Sequence, residues 1–164
     1  MSTITGLAAH PLLVHFIVAL APLTAFLAIL CAVWPAARQR LVWLVLALAA
    51  AIAGMTPLVT ESGEWLEHQI EETALVERHA ELGDTMIYFA AALLIAAILL
   101  VVVHVRTNRG KPLSTVLSAV IAVFVVLAAA ATTVQVVRIG HSGAESVWGD
   151  ALANSTANGS DSGE

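Results

Sequence analysis

Four stretches of this chain are apolar almost without interruption: Pro11 to Trp34, Leu41 to Val59, roughly Thr85 to Val105, and roughly Leu113 to Val137. Each approaches or exceeds the about 20 residues that an α-helix needs to cross a hydrocarbon core. The runs are rich in Ala and Leu and do not alternate, so strands are not expected, and in lipid every segment must satisfy its own backbone groups. The pattern predicts an all-α membrane protein, a four-helix transmembrane bundle over residues 1–149. Residues 150–164 form a tail of Ser, Asn, Gly, Ala and acid that has almost nothing to bury and is expected to be disordered.

Composition agrees with the pattern. Of 164 residues, 59% are hydrophobic and only 12% charged, and the mean hydropathy is +0.89, well outside the range of soluble domains. The charges that remain are sorted. Arg38 and Arg40 fall between the first two runs, and Arg106, Arg109 and Lys111 between the last two, so five of the seven basic residues share one side. That side is expected to be cytoplasmic. The opposite side receives the acidic residues, among them Glu61, Glu64, Glu67, Glu71, Glu72, Glu77 and Glu81, and both termini are expected there, outside. No Lys or Arg precedes Arg38, so the first run lacks the basic start of a cleavable signal peptide and reads as a retained span.

Local signals refine the ends. Pro11 suits the first position of a helix, which makes His10 the expected cap residue and puts His15 in the second turn. Pro57 is expected to kink the second helix, and the polar but otherwise Pro-free residues 61–73, with Trp65, Leu66 and Ile70 as an apolar stripe, could continue it above the membrane. Trp34 and Trp43 mark one interface, Trp65 and Trp148 the other. Ala50 and Gly54, and Ala90, Ala91, Ala92, Ala96 and Ala97, are small residues of the kind that lets helix axes approach closely. Cys31 is the single cysteine, a small packed thiol. No internal repeat stands out.

The candidate chemistry lies in the histidines. His10, His15, His68, His79 and His141 all sit near ends of apolar runs on the expected outer side, whereas His104 sits alone at the inner end of the third run as an interfacial residue. Any one of them reads most simply as the polar end of a helix. Their grouping at the ends of three spans exceeds what helix termination requires, and a pair of imidazoles on facing helices is a recurrent way to hold haem in a four-helix bundle. With one cysteine there is no covalent haem-attachment motif. His10 and His15 are five residues apart, about 140° around a helix, so they are not expected to share one iron. The preferred axial pair is His15 with His79, and the second pair is His141 with His10. Gly83, one turn after His79, would let a planar ring lie on bare backbone, and Arg138 is a candidate partner for a haem propionate. His68 follows Glu64 by one turn, a spacing suited to a shared cation or to a simple hydrogen bond.

Three segments also carry a resemblance. His10-Pro11-Leu12-Leu13-Val14-His15-Phe16, Glu77-Arg78-His79-Ala80-Glu81-Leu82-Gly83 and Gly140-His141-Ser142-Gly143-Ala144-Glu145-Ser146-Val147-Trp148 resemble the bacterial membrane family known as domain of unknown function 2231, over residues 8–149. Ile17 stands where the family's opening motif usually has a proline, and Ala144 and Trp148 depart from its usual closing motif. The resemblance implies a four-helix domain of a bacterial cytoplasmic membrane with histidines gathered on one face, and no established activity.

Three functions are therefore expected to compete. The first is a membrane haem b protein that passes electrons between the membrane or quinone pool and a redox partner at the outer face. The second is a zinc or copper binding module built from His68, Glu64, His10, His15, His79 and His141, with the acidic loop drawing cations in. The third is an accessory subunit without a cofactor. The lipid bilayer is the expected partner, a second copy of the chain is possible, and nucleic acid is not expected. Hydrolysis ranks low because no Ser or Cys nucleophile stands beside a base and an orienting group.

Overall fold

The computed structural model describes the backbone of residues 3–4, 7–67 and 73–160 and the side chains of 10, 13–66 and 73–146. Two short antiparallel strands, β1 (Thr3–Ile4) and β2 (Leu7–Ala8), lead into helix α1 (Ala9–Val33). There follow α2 (Pro35–Glu67), α3 (Ala74–Asp84), α4 (Met86–Asn108) and α5 (Thr115–Ser160). Among the described residues four helical segments are long and apolar enough to cross a membrane, Leu13–Val33, Pro35–Leu66, Ala74–Asn108 and Thr115–Ser146. The four expected spans are these four helices.

The ends differ from expectation in informative ways. α1 starts at Ala9, so His10 lies inside the first turn and is not its cap. Pro57 sits within α2, which continues past it to Glu67, so the polar stretch after Val59 is helical at least that far. His79 rides on a separate helix, α3, capped by Thr73, whose hydroxyl accepts from the Val76 N–H at 3.3 Å. At the other end of the bundle, α4 stops where Gly110 takes φ +68°, with Gly110 N–H bonded to the Thr107 carbonyl and Lys111 N–H to the Arg106 carbonyl. These are the paired bonds of a Schellman cap, and Pro112 follows to block any further helix.

Packing follows small residues. Ala21, Ala25, Ala28, Ala49, Ala90, Ala96, Ala97, Ala128 and Ala129 are buried where the helices meet, as expected where lipid offers no hydrophobic incentive and close van der Waals contact must hold helices together. Ala50 and Gly54 are a correction: both are exposed, and a Cβ on Gly54 would meet nothing within 4 Å. Their small-xxx-small spacing faces outward. His104, one turn before the end of α4, is buried, and its Nε2 accepts from Asn108 Nδ2 at 3.0 Å.

α1 and α4 each pack on both α2 and α5 and touch one another much less, so they occupy one diagonal of the bundle. This arrangement carries a repeat that the sequence reading lacked. Starting from His10, the buried positions Ile17, Ala21, Thr24, Ala28 and Cys31 recur at the same intervals after His79 as Met86, Ala90, Leu93, Ala97 and Leu100. Counting back from Ser62, the buried residues Val45, Ala49, Ile52 and Thr56 match Val125, Ala129, Thr132 and Val136 counted back from Ser142. The bundle is two helical hairpins related by a pseudo-two-fold axis along its length, the parallel type of internal repeat found in membrane proteins. The link between the helices is one residue, Trp34, in the first hairpin and the longer turn through Gly110 in the second, so no single sequence offset aligns the halves.

Candidate functional site

The pseudo-symmetry brings two histidines together. His10, in the first turn of α1, and His79, on α3, face each other with ring centroids 6.4 Å apart and planes at 84°. Each leans on the helix that completes its own hairpin. His10 Nδ1 lies 3.1 Å from the Val59 carbonyl oxygen and 3.3 Å from Ser62 Oγ on α2, and His79 Nδ1 lies 3.0 Å from Ser142 Oγ on α5. The residue after each serine is a glycine, and the reason is steric. A Cβ on Gly63 would stand 2.9 Å from His10 Cε1, and one on Gly143 3.0 Å from His79 Cε1.

Around the pair is a cavity of about 410 Å³, lined by apolar residues including Val14, Ile17, Val59, Met86, Val136 and Ile139, with His15, Glu64 and Asp84 as further polar members. Gly83 and Gly140 also line it, and a Cβ on either would enter open space. Bare backbone thus borders the cavity beside His79, where the sequence suggested a planar ring could lie. An apolar enclosure with a few converging polar groups is the usual form of a small-molecule or cofactor site.

The expected residues separate in this geometry. His10 and His79 form the facing pair, in place of the pairings His15 with His79 and His141 with His10. His15 lines the same cavity from an exposed position one turn along α1. His141 points away, exposed, with its Nδ1 3.7 Å from Glu145, because on a helix the residue before Ser142 lies about 100° around from it. Arg138 is exposed and absent from the lining, so nothing in its position favours a propionate contact. Glu64 is on the cavity wall, while His68 lies outside the described residues.

Ser62, Gly63 and the buried Gln135 were missed. Ser62-Gly63 sits in a polar stretch that reads as loop or solvated helix, and its only signal is that the same dipeptide recurs as Ser142-Gly143.

Comparison with known proteins can now be set beside this geometry. A family model described as a predicted membrane protein, DUF2231, matches residues 6–156. The chain belongs to the DUF2231 family. No curated protein and no solved structure matches it. The DUF2231 match spans both hairpins and both histidine–serine pairs, so the site described above is part of the DUF2231 domain and not an addition to it.

Proposed function

We propose that this DUF2231 chain is a haem b protein of a bacterial cytoplasmic membrane, with His10 and His79 as the axial pair, carrying electrons at the outer face. The observation that supports this most is the spacing of the two rings. A metal about 2.0 Å from an imidazole nitrogen on each side, with each nitrogen about 1.1 Å from its ring centre, sets the two centroids roughly 6 Å apart, close to the 6.4 Å found here. Haem iron takes only two protein ligands, because the porphyrin supplies the others. A structural zinc takes four protein ligands and a catalytic one three, and among the described residues no group of three or more His, Cys, Asp or Glu is placed to hold an ion. Haem so held supplies one-electron exchange, and the protein supplies ligand geometry, an apolar wall and exclusion of water.

The sidedness follows from charge. Arg38, Arg40, Arg106, Arg109 and Lys111 lie at the end of the bundle away from the histidine pair, which by the positive-inside rule supports an outward-facing cavity.

The test is an absorption spectrum of detergent-purified protein, air-oxidised and then reduced with dithionite. The expected result is a Soret band with sharp reduced α and β bands, lost or shifted in His10→Ala and in His79→Ala and retained in His141→Ala. A protein that purifies colourless from haem-replete cells, and stays colourless when haem is added, sinks the reading.

A further inference from the structure

Ser62 and Ser142 do more than terminate their own hydrogen bonds. A serine hydroxyl within a helix commonly gives its proton to a carbonyl three or four residues earlier, and Ser146, Thr107 and Thr133 do this here. Ser62 does so too, donating to the Val59 carbonyl at 2.8 Å, and Ser142 donates to the Ile139 carbonyl at 3.0 Å. When that proton goes to the carbonyl, each oxygen is left to accept from the imidazole nitrogen beside it. The nitrogen is Nδ1 in both rings. The Val59 carbonyl makes the same demand on His10, since it lies 3.1 Å from His10 Nδ1 and a carbonyl oxygen cannot donate.

We propose that Ser62 and Ser142 are a matched pair of positioning residues that hold His10 and His79 with the proton on Nδ1, leaving both Nε2 lone pairs for one shared ligand atom. The opposite tautomer would set a bare nitrogen against the Val59 carbonyl at hydrogen-bond distance and leave two acceptors facing each other. Gly63 and Gly143 complete each cradle by leaving the ring room to settle. A metal-binding histidine whose other N–H is held in this way is fixed in orientation and made a stronger donor to the metal. In the haem reading, on which this part rests, the hydrogen bonds favour the ferric state and lower the midpoint potential.

The test has two arms. Protein labelled with 15N-histidine, without haem, is examined by long-range proton–nitrogen NMR in micelles, His10 and His79 being assigned by the signals missing from His10→Ala and His79→Ala. Both rings are expected as the Nδ1–H tautomer, and Ser142→Ala and Ser62→Ala are expected to speed solvent exchange of the corresponding ring proton by roughly five-fold, the worth of one ordinary hydrogen bond. Ser142→Thr, which keeps a hydroxyl, restores slow exchange. In the second arm the midpoint potential of haem-loaded protein rises in each Ser→Ala variant. Rings that carry the proton on Nε2 or average between tautomers, or alanine variants that change neither exchange nor potential, overturn the proposal. Locked tautomers in a protein that takes up no haem support the positioning role and defeat the haem reading alone.

Discussion

Gln135 on α5 holds the end of α3 in place by donating from Nε2 to the Leu82 carbonyl at 3.0 Å and to Thr85 Oγ1 at 2.8 Å. Helix α3 ends at Asp84 and α4 starts at Met86, and the last carbonyls of any helix lack partners within it. Here the Leu82 carbonyl is met twice, by Gln135 and by the Thr85 hydroxyl at 2.7 Å. Gln135 is only 2% exposed, and it lies about two helical turns before Ser142, the serine beside His79.

Gln135→Leu keeps the volume and removes both bonds. Buried polar contacts between membrane helices are worth about 1 kcal/mol each, so the variant is expected to unfold at a lower temperature in detergent and to release His79 from its partner first. Thermal unfolding, together with haem content, reads both effects. A variant as stable as wild type with full haem content would show that α3 is held by packing alone.

Glycine substitutions separate cradle from wall. Gly63→Ala and Gly143→Ala put a methyl group 2.9 and 3.0 Å from histidine ring carbons, so each must push its ring aside, with a cost of about 1 to 3 kcal/mol for overpacking. Gly54→Ala meets nothing within 4 Å and is expected to stabilise α2 by about 0.5 to 1 kcal/mol through helix propensity alone. Equal effects at Gly54 and Gly143, measured by chemical unfolding in mixed micelles, would remove the steric account of the cradle.

Much of the fold was legible from the chain because hydrophobic length reports on lipid directly, and each expected span became a helix. The site was legible only as a neighbourhood. His10 and His79 were both candidates, but Pro11 made His10 read as a cap residue, whereas α1 begins at Ala9 and carries His10 in its first turn. The partners were hidden for another reason. Ser62 and Ser142 are ordinary helix residues in sequence, and they acquire a role only because two hairpins with different loop lengths align in space. What the chain did not show at His104 is its burial, which its bond to Asn108 one turn on accompanies.

The topology makes a simple prediction. His10 on α1 and Ser142 on α5 lie at one end of the bundle, and the α4–α5 turn through Gly110 at the other. If the basic end is cytoplasmic, a reporter active only in the cytoplasm works when inserted near Asn108 and fails when fused after Trp148. The reverse pattern would turn the histidine pair inward and end the proposal of electron transfer at the outer face.

Thr24 offers a test of the core itself. Its Oγ1 is buried and finds no partner among the described residues, whereas Thr56 and Thr132 donate to the Ile52 and Ala128 carbonyls at 2.8 and 2.7 Å. An unsatisfied hydroxyl costs about 1 to 3 kcal/mol when shut away from water, and its position under the pseudo-two-fold axis is filled in the other hairpin by Leu93, which has no such group. Thr24→Val keeps the branched shape and removes the oxygen, so it is expected to raise the unfolding temperature. Thr56→Val, which removes an oxygen that is satisfied, should give no comparable gain. If Thr24→Val instead destabilises the protein while Thr56→Val is neutral, the Thr24 hydroxyl has a partner within the bundle, such as an ordered water, and the pairing of Thr24 with Leu93 as equivalent apolar positions must be abandoned.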